Sequence, residues 1–138
     1  MSEVYRYVIS TSIMITILLV LMSVTFTILI YTDLMACRKI CELIECRIIE
    51  VIAYGQFEGN ITVNLSFNDI VSRGFELYVI NSSCIEVRVP LRYLSNVVVR
   101  KCVILPERVI LNYTGLIPPS FTLIFREING KVVINVRT

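Results

Sequence analysis

The stretch YVISTSIMITILLVLMSVTFTILIYT, Tyr7 to Thr32, decides the architecture of this chain. Its 26 residues include no Asp, Glu, Lys or Arg. Wound as a helix at 1.5 Å per residue it extends roughly 39 Å, more than the roughly 30 Å hydrocarbon core of a bilayer, so it can cross with some tilt. A soluble surface helix of that length shows a polar face, and this run carries no charge on any face. The reading is a membrane or membrane-derived chain with a small domain at one end. A secretory signal has a basic start and an apolar core of about 7–15 residues. Here only Arg6 supplies a nearby basic side chain and the run is far longer, so the helix is expected to be retained.

Beyond Thr32 no Pro or Gly interrupts the chain until Gly55. Leu34, Cys37, Ile40, Cys41, Ile44, Ile48 and Ile52 recur at spacings of three and four, one apolar stripe of a second helical turn pattern. Arg38, Glu42, Glu45 and Glu50 fall on the other side. The spacing predicts one continuous helix from about Val4 to Tyr54, with Gly55 as its C-cap. Residues 1–55 then form an N-terminal hydrophobic helix and amphipathic stalk, and residues 56–138 a head.

From Phe57 the period changes to two. Val63, Leu65 and Phe67 alternate with Thr62, Asn64 and Ser66; Phe75, Leu77 and Val79 alternate with Glu76 and Tyr78; Ile85, Val87 and Val89 alternate with Cys84, Glu86 and Arg88. A tight turn is expected at Asn81-Ser82, and Pro90 ends the third strand. Further strands are expected over about Asn96–Leu105, Val109–Tyr113, Phe121–Ile128 and Lys131–Arg137. Asn129-Gly130 is the strongest hairpin signal, because both turn positions need φ > 0. The fold class expected is α+β: a long transmembrane and stalk helix followed by a small antiparallel all-β, sandwich-like head of seven strands, or a curled sheet.

Composition excludes several functions. A net charge of +2 is too small to argue for nucleic acid. The chain has no His, so a Ser-His or Cys-His nucleophile pair cannot form, and the commonest neutral-pH acid/base and metal ligand is missing. Phosphate-binding and nucleophile-elbow motifs are absent from the sequence. An enzyme is not expected, nor a cofactor or bound metal. Of the five cysteines, Cys37 and Cys41 sit on the apolar stripe as small hydrophobes. Cys84 and Cys102 lie in separate strands of a domain of about 80 residues, a size that gains from a disulfide between them. Cys46 falls on the charged side of the helix.

The four N-x-S/T sequons, at Asn60, Asn64, Asn81 and Asn112, all follow the apolar run. Chance placement of the chain's eight Asn residues would give about one. The excess favours an extracellular head open to glycosylation, although Arg38, Lys39 and Arg47 after the run would by the positive-inside rule place it in the cytoplasm. Within the run, Ser12, Thr16, Ser23 and Thr27 place small hydroxyl residues at i,i+4 spacing, as helix–helix contacts in membranes often do. Together with Ile40, Ile44, Ile48 and Ile52 they are the expected assembly face. The isoleucines must bury against either the head or partner helices.

The stretch Val8-Ile9-Ser10-Thr11-Ser12-Ile13-Met14-Ile15-Thr16-Ile17-Leu18-Leu19, opening a helix that continues into an all-β head, resembles the start of the helix in archaeal type IV pilin-like proteins. The resemblance implies a homo-oligomeric surface filament, with helices bundled inside and β heads outside. The outline is also similar to the single-helix β-sandwich proteins that accompany archaeal motility filaments as envelope anchors or stators. That likeness implies a single-pass membrane protein whose head binds another envelope component.

Overall fold

The computed structural model describes residues 2–68, 74–94 and 96–138. One helix, α1 (Ser2–Glu58), precedes eight strands: β1 (Thr62–Ser66), β2 (Glu76–Asn81), β3 (Cys84–Pro90), β4 (Val98–Ile104), β5 (Val109–Leu111), β6 (Gly115–Ile117), β7 (Ser120–Ile128) and β8 (Lys131–Arg137). The class is α+β, as the change of period predicts.

The helix is one uninterrupted element of 57 residues, about 86 Å long. It does not stop at Gly55. The backbone runs helical to Glu58, and Gly59 takes φ 78° while its N–H donates to the Gly55 carbonyl at 3.1 Å. Gly59 is therefore the left-handed cap. Gly55 answers a different need: a Cβ there would lie 2.3 Å from the ring of Phe125. A close approach of helix to strand, rather than a turn, requires the glycine.

The strands form two four-stranded sheets, ordered β1-β7-β8-β5 and β4-β3-β2-β6. Pairing is antiparallel except for β5 and β8, which run parallel from Val109↔Val132 to Leu111↔Ile134. Seven of these strands follow the expected alternation. The eighth, β6, has only three residues, too few to show a period, and pairs with β2 through Leu77↔Ile117. Asn129 and Gly130 both take positive φ, at 53° and 74°, and close the β7–β8 hairpin at Ile128↔Lys131. At the β2–β3 turn Ser82 and Ser83 lie between the paired Asn81 and Cys84. Asn81 Oδ1 accepts from the Ser83 N–H at 2.9 Å, which fixes the corner one residue later than expected.

The inward faces of both sheets and the stripe on α1 meet in one core. Cys37, Cys41, Ile44, Ile48, Ile52 and Gly55 are buried on the helix. Phe67 packs edge-on to Phe75 at 5.8 Å and beside Phe121 at 6.1 Å between ring centroids. Where Ile48 and Ile52 meet residues of both sheets, the residual void is about 10 Å³, at the lower limit for one water and too small for a ligand. The second half of the helix is thus a third wall of the sandwich as well as a stalk.

Candidate functional site: the helix and its junction with the head

Contacts along α1 fix the direction of the head. Pro90, at the end of β3, lies beside Cys37, whose thiol donates to the Pro90 carbonyl at 3.6 Å. Lys101, midway along β4, pairs with Glu45 at 2.5 Å. Ile104, at the end of β4, shares a groove with Ile49, Ala53 and Gln56. β4 therefore climbs away from the apolar run and β3 descends toward it.

The first half of the helix is left uncovered. Every residue from Val4 to Leu29 is exposed, and the segment is long and apolar enough to cross a membrane. Within it the hydroxyls of Thr16 and Thr27 donate to the Ser12 and Ser23 carbonyls at 2.8 and 2.9 Å. Thr11, Thr25 and Thr32 do likewise to Tyr7, Leu21 and Ile28. Such back-bonding hides the polar groups within their own helix, so these faces present methyls and small profiles.

The expected assembly face divides in two. Ser12, Thr16, Ser23 and Thr27 are exposed. Ile44, Ile48 and Ile52 are buried by the chain's own head, and Ile40 is half-buried against it. The isoleucines are therefore spent on the intramolecular core and are unavailable to a partner helix. What the head-bearing half of the helix offers outward is Met35, Leu43, Ile49, Tyr54 and Phe57, the last 89% exposed. Sequence periodicity cannot separate this outer row, because charged residues interleave it.

At the junction lies the one buried charged side chain among the described residues, Asp33, 2% exposed. Its Oδ2 accepts from the backbone N–H of Arg92 at 2.6 Å and of Tyr93 at 3.4 Å. Backbone donors at this range can hold a carboxylate in a buried setting. The loop after β3 is thereby tied to the helix one residue past the end of the uncharged run. Asp33 carries no sequence signal for this role, since its partners lie 59 and 60 positions away.

Cys84 and Cys102 are joined as a disulfide across β3 and β4, with 6.3 Å between their Cα atoms. Cys37 and Cys41 are buried and Cys46 is exposed, all three outside that disulfide. Burial, then the adjacent Cys37, pushes the Cys41 thiol from its ordinary value of 9.0 up to about 11. The Lys101 ammonium is also raised, chiefly by its hydrogen bond to Glu45. Among the described residues no three His, Cys, Asp or Glu side chains gather as metal ligands would.

All four sequon asparagines are exposed. Asn64 Oδ1 accepts from the Thr122 hydroxyl at 2.8 Å and Asn60 Oδ1 from the Glu127 N–H at 3.3 Å. Asn112 donates to Asn135 at 2.9 Å. Asn60, Asn64 and Asn112 border or lie on the edge strands β1 and β5 of one sheet, whereas Asn81 marks the far end of the other. No protein-family model, curated protein or solved structure matches this chain.

Proposed function

We propose that the chain is a structural subunit of the pilin-like kind, which assembles with further copies through its long helix and presents its β head outward. The observation that carries this reading is the division of labour along α1. One half is welded into the head, while the other is apolar and uncovered in a single chain. An apolar helix surface of that extent needs lipid or other helices around it. The row Leu43, Ile49 and Phe57 carries exposed apolar surface up the side of the head, beyond the reach of lipid, where a neighbouring protein surface can cover it.

Electron microscopy of the purified full chain tests the proposal: ordered fibres are expected. Leu43→Asp and Ile49→Asp, both exposed, should abolish them while leaving the head folded by circular dichroism. Monomers or dimers in detergent that never form fibres would overturn filament assembly. They would instead favour the second reading, a single-pass anchor whose head grips another envelope component. The tie between Asp33 and the loop after β3 favours that second reading, because it seats the head at the end of the membrane run.

We further infer that the head is extracellular. The Cys84–Cys102 disulfide suits an oxidising compartment, and four exposed sequons suit glycan attachment. A membrane-impermeant maleimide added to intact cells should label a Lys131→Cys variant, whose position is exposed at the β7–β8 hairpin away from the assembly face. Labelling only after rupture would reverse the topology.

A further inference from the structure

We propose that the loop after β3 is a membrane-contact element: Tyr93 and Val97 insert into the interfacial layer of the bilayer that α1 crosses, and Arg92 meets lipid phosphates there. The inference rests on the reading of Tyr7–Thr32 as a membrane span and is independent of filament assembly. It concerns the chain while it resides in the bilayer.

Depth is set by covalent placement. The uncharged run extends roughly 39 Å, which matches a hydrocarbon core of roughly 30 Å plus part of the headgroup layers, together about 40–45 Å. Its last residue, Thr32, therefore emerges among the headgroups, and Asp33 follows at once. Because Asp33 Oδ2 accepts from the Arg92 and Tyr93 N–H groups, the loop sits at that depth. Its described residues are anchored to the head. Leu91 is buried in the core, Leu94 packs against it, the Val97 N–H donates to the Leu94 carbonyl at 2.9 Å, and the Leu91 N–H donates to the Val97 carbonyl at 3.0 Å.

The chemistry of what remains outside fits an interface. Tyr93 is 47% exposed and Val97 44% exposed, beside an exposed Arg92. Tyr31, exposed on the helix just before Asp33, adds a second tyrosine at this level. Tyrosine favours the headgroup layer, where its ring is shielded and its hydroxyl stays wet. Arg38 and Lys39 are exposed about one and a half turns past Asp33, and with Arg92 they form a basic collar suited to anionic headgroups. An apolar pair on a loop this close to the bilayer gains by entering it, whereas the same pair at the far end of the head would face water.

The chain contains no Trp, so a single introduced Trp reports its own surroundings. Tyr93→Trp, Leu18→Trp and Phe57→Trp would each be made in the full chain and reconstituted into vesicles of phosphatidylcholine and phosphatidylglycerol. Lipids brominated near the top or near the end of the acyl chain serve as shallow and deep quenchers. Tyr93→Trp should show blue-shifted emission, quenched at least twofold by the shallow lipid and less by the deep one. Leu18→Trp should be quenched best by the deep lipid, and Phe57→Trp by neither. Val97→Trp is the second probe should Tyr93→Trp perturb the loop, and it should behave alike. Loop probes that emit like Phe57→Trp, while Leu18→Trp is quenched, would overturn the proposal and leave the span intact. Blue-shifted loop emission without bromine quenching would also overturn it, assigning the patch to a second copy. An unquenched Leu18→Trp would overturn the span and the proposal together.

Discussion

Gly55 and the buried thiols show how single positions hold the helix to its head. Added carbon at Gly55 meets Phe125, itself fully buried, so neither side has room to yield. Gly55→Ala would improve helix propensity by about 1 kcal/mol, but overpacking of this kind costs about 1–3 kcal/mol and here takes the upper end. The net expectation is a lower melting temperature. Phe125→Leu in the same chain should recover part of the loss, and a double-mutant cycle by thermal denaturation measures that coupling. A thiol titration of the native protein near neutral pH should find one reactive group, Cys46, and three after unfolding, because Cys37 and Cys41 are buried and Cys84 and Cys102 are bonded. The raised Cys41 pKa has a definite sign. The folded state keeps that proton to about 11, while the unfolded thiol gives it up near its ordinary value of 9.0. Stability from this group is full below pH 9 and declines as pH rises from about 9 to 11. Cys41→Ala should remove that component of the alkaline loss in denaturant melts. Reduction of the disulfide, which spans 18 residues, should cost about 3 kcal/mol by the loop-entropy relation.

At the scale of elements, the helix and the longer strands were legible because each repeats its period often enough to be read. Ile44, Ile48 and Ile52 mark a helical face, and Phe121, Leu123 and Phe125 with their neighbours a strand, by spacing alone. Elements fixed by distant partners were not legible. β6 has three residues beside two prolines and exists because Leu77 and Val79 offer it a ladder. The parallel β5–β8 pair joins segments about twenty residues apart that nothing local connects. The helix stop was misplaced because a glycine reads the same whether it supplies positive φ, as Gly59 does, or closeness, as Gly55 does. The candidate surfaces divide the same way. The membrane run, the sequon positions and the Cys84–Cys102 pair could be named from sequence. The tie at Asp33 and the outer row from Met35 to Phe57 could not, because they depend on which side of α1 the head covers. The isoleucine stripe is common to both helix and head, which gives a clean expectation. A chain beginning at Gly59 should aggregate, with the inner faces of both sheets bare. A chain beginning near Asp33 should be soluble and fold cooperatively, as checked by gel filtration and thermal melts. Ile48→Ala in that shorter chain should lose about 2–5 kcal/mol.

As a whole molecule the protein is a rod with a head fused to its upper half, and no hinge separates the membrane run from the β-sheets. In a bilayer, tilt would therefore not be absorbed locally. A helix tilt of about 20° moves the top of the 26 helical residues from Asp33 to Glu58 sideways by about 13 Å. Rotation is transmitted just as faithfully, and this turns the unbroken backbone into a setting dial. Each residue of a helix advances it by about 100° and 1.5 Å. Deleting one residue inside Tyr7–Thr32 should swing the entire head by that angle relative to whatever grips the lower helix, while stability hardly changes. Under the proposed assembly, fibres should then fail or change symmetry in electron micrographs. Adding seven residues to the intact run instead, which returns the phase to within about 20°, should keep lateral contacts with the heads lifted by about 10 Å. The compass bearing of the head is thus written in the residue count of a segment it never touches.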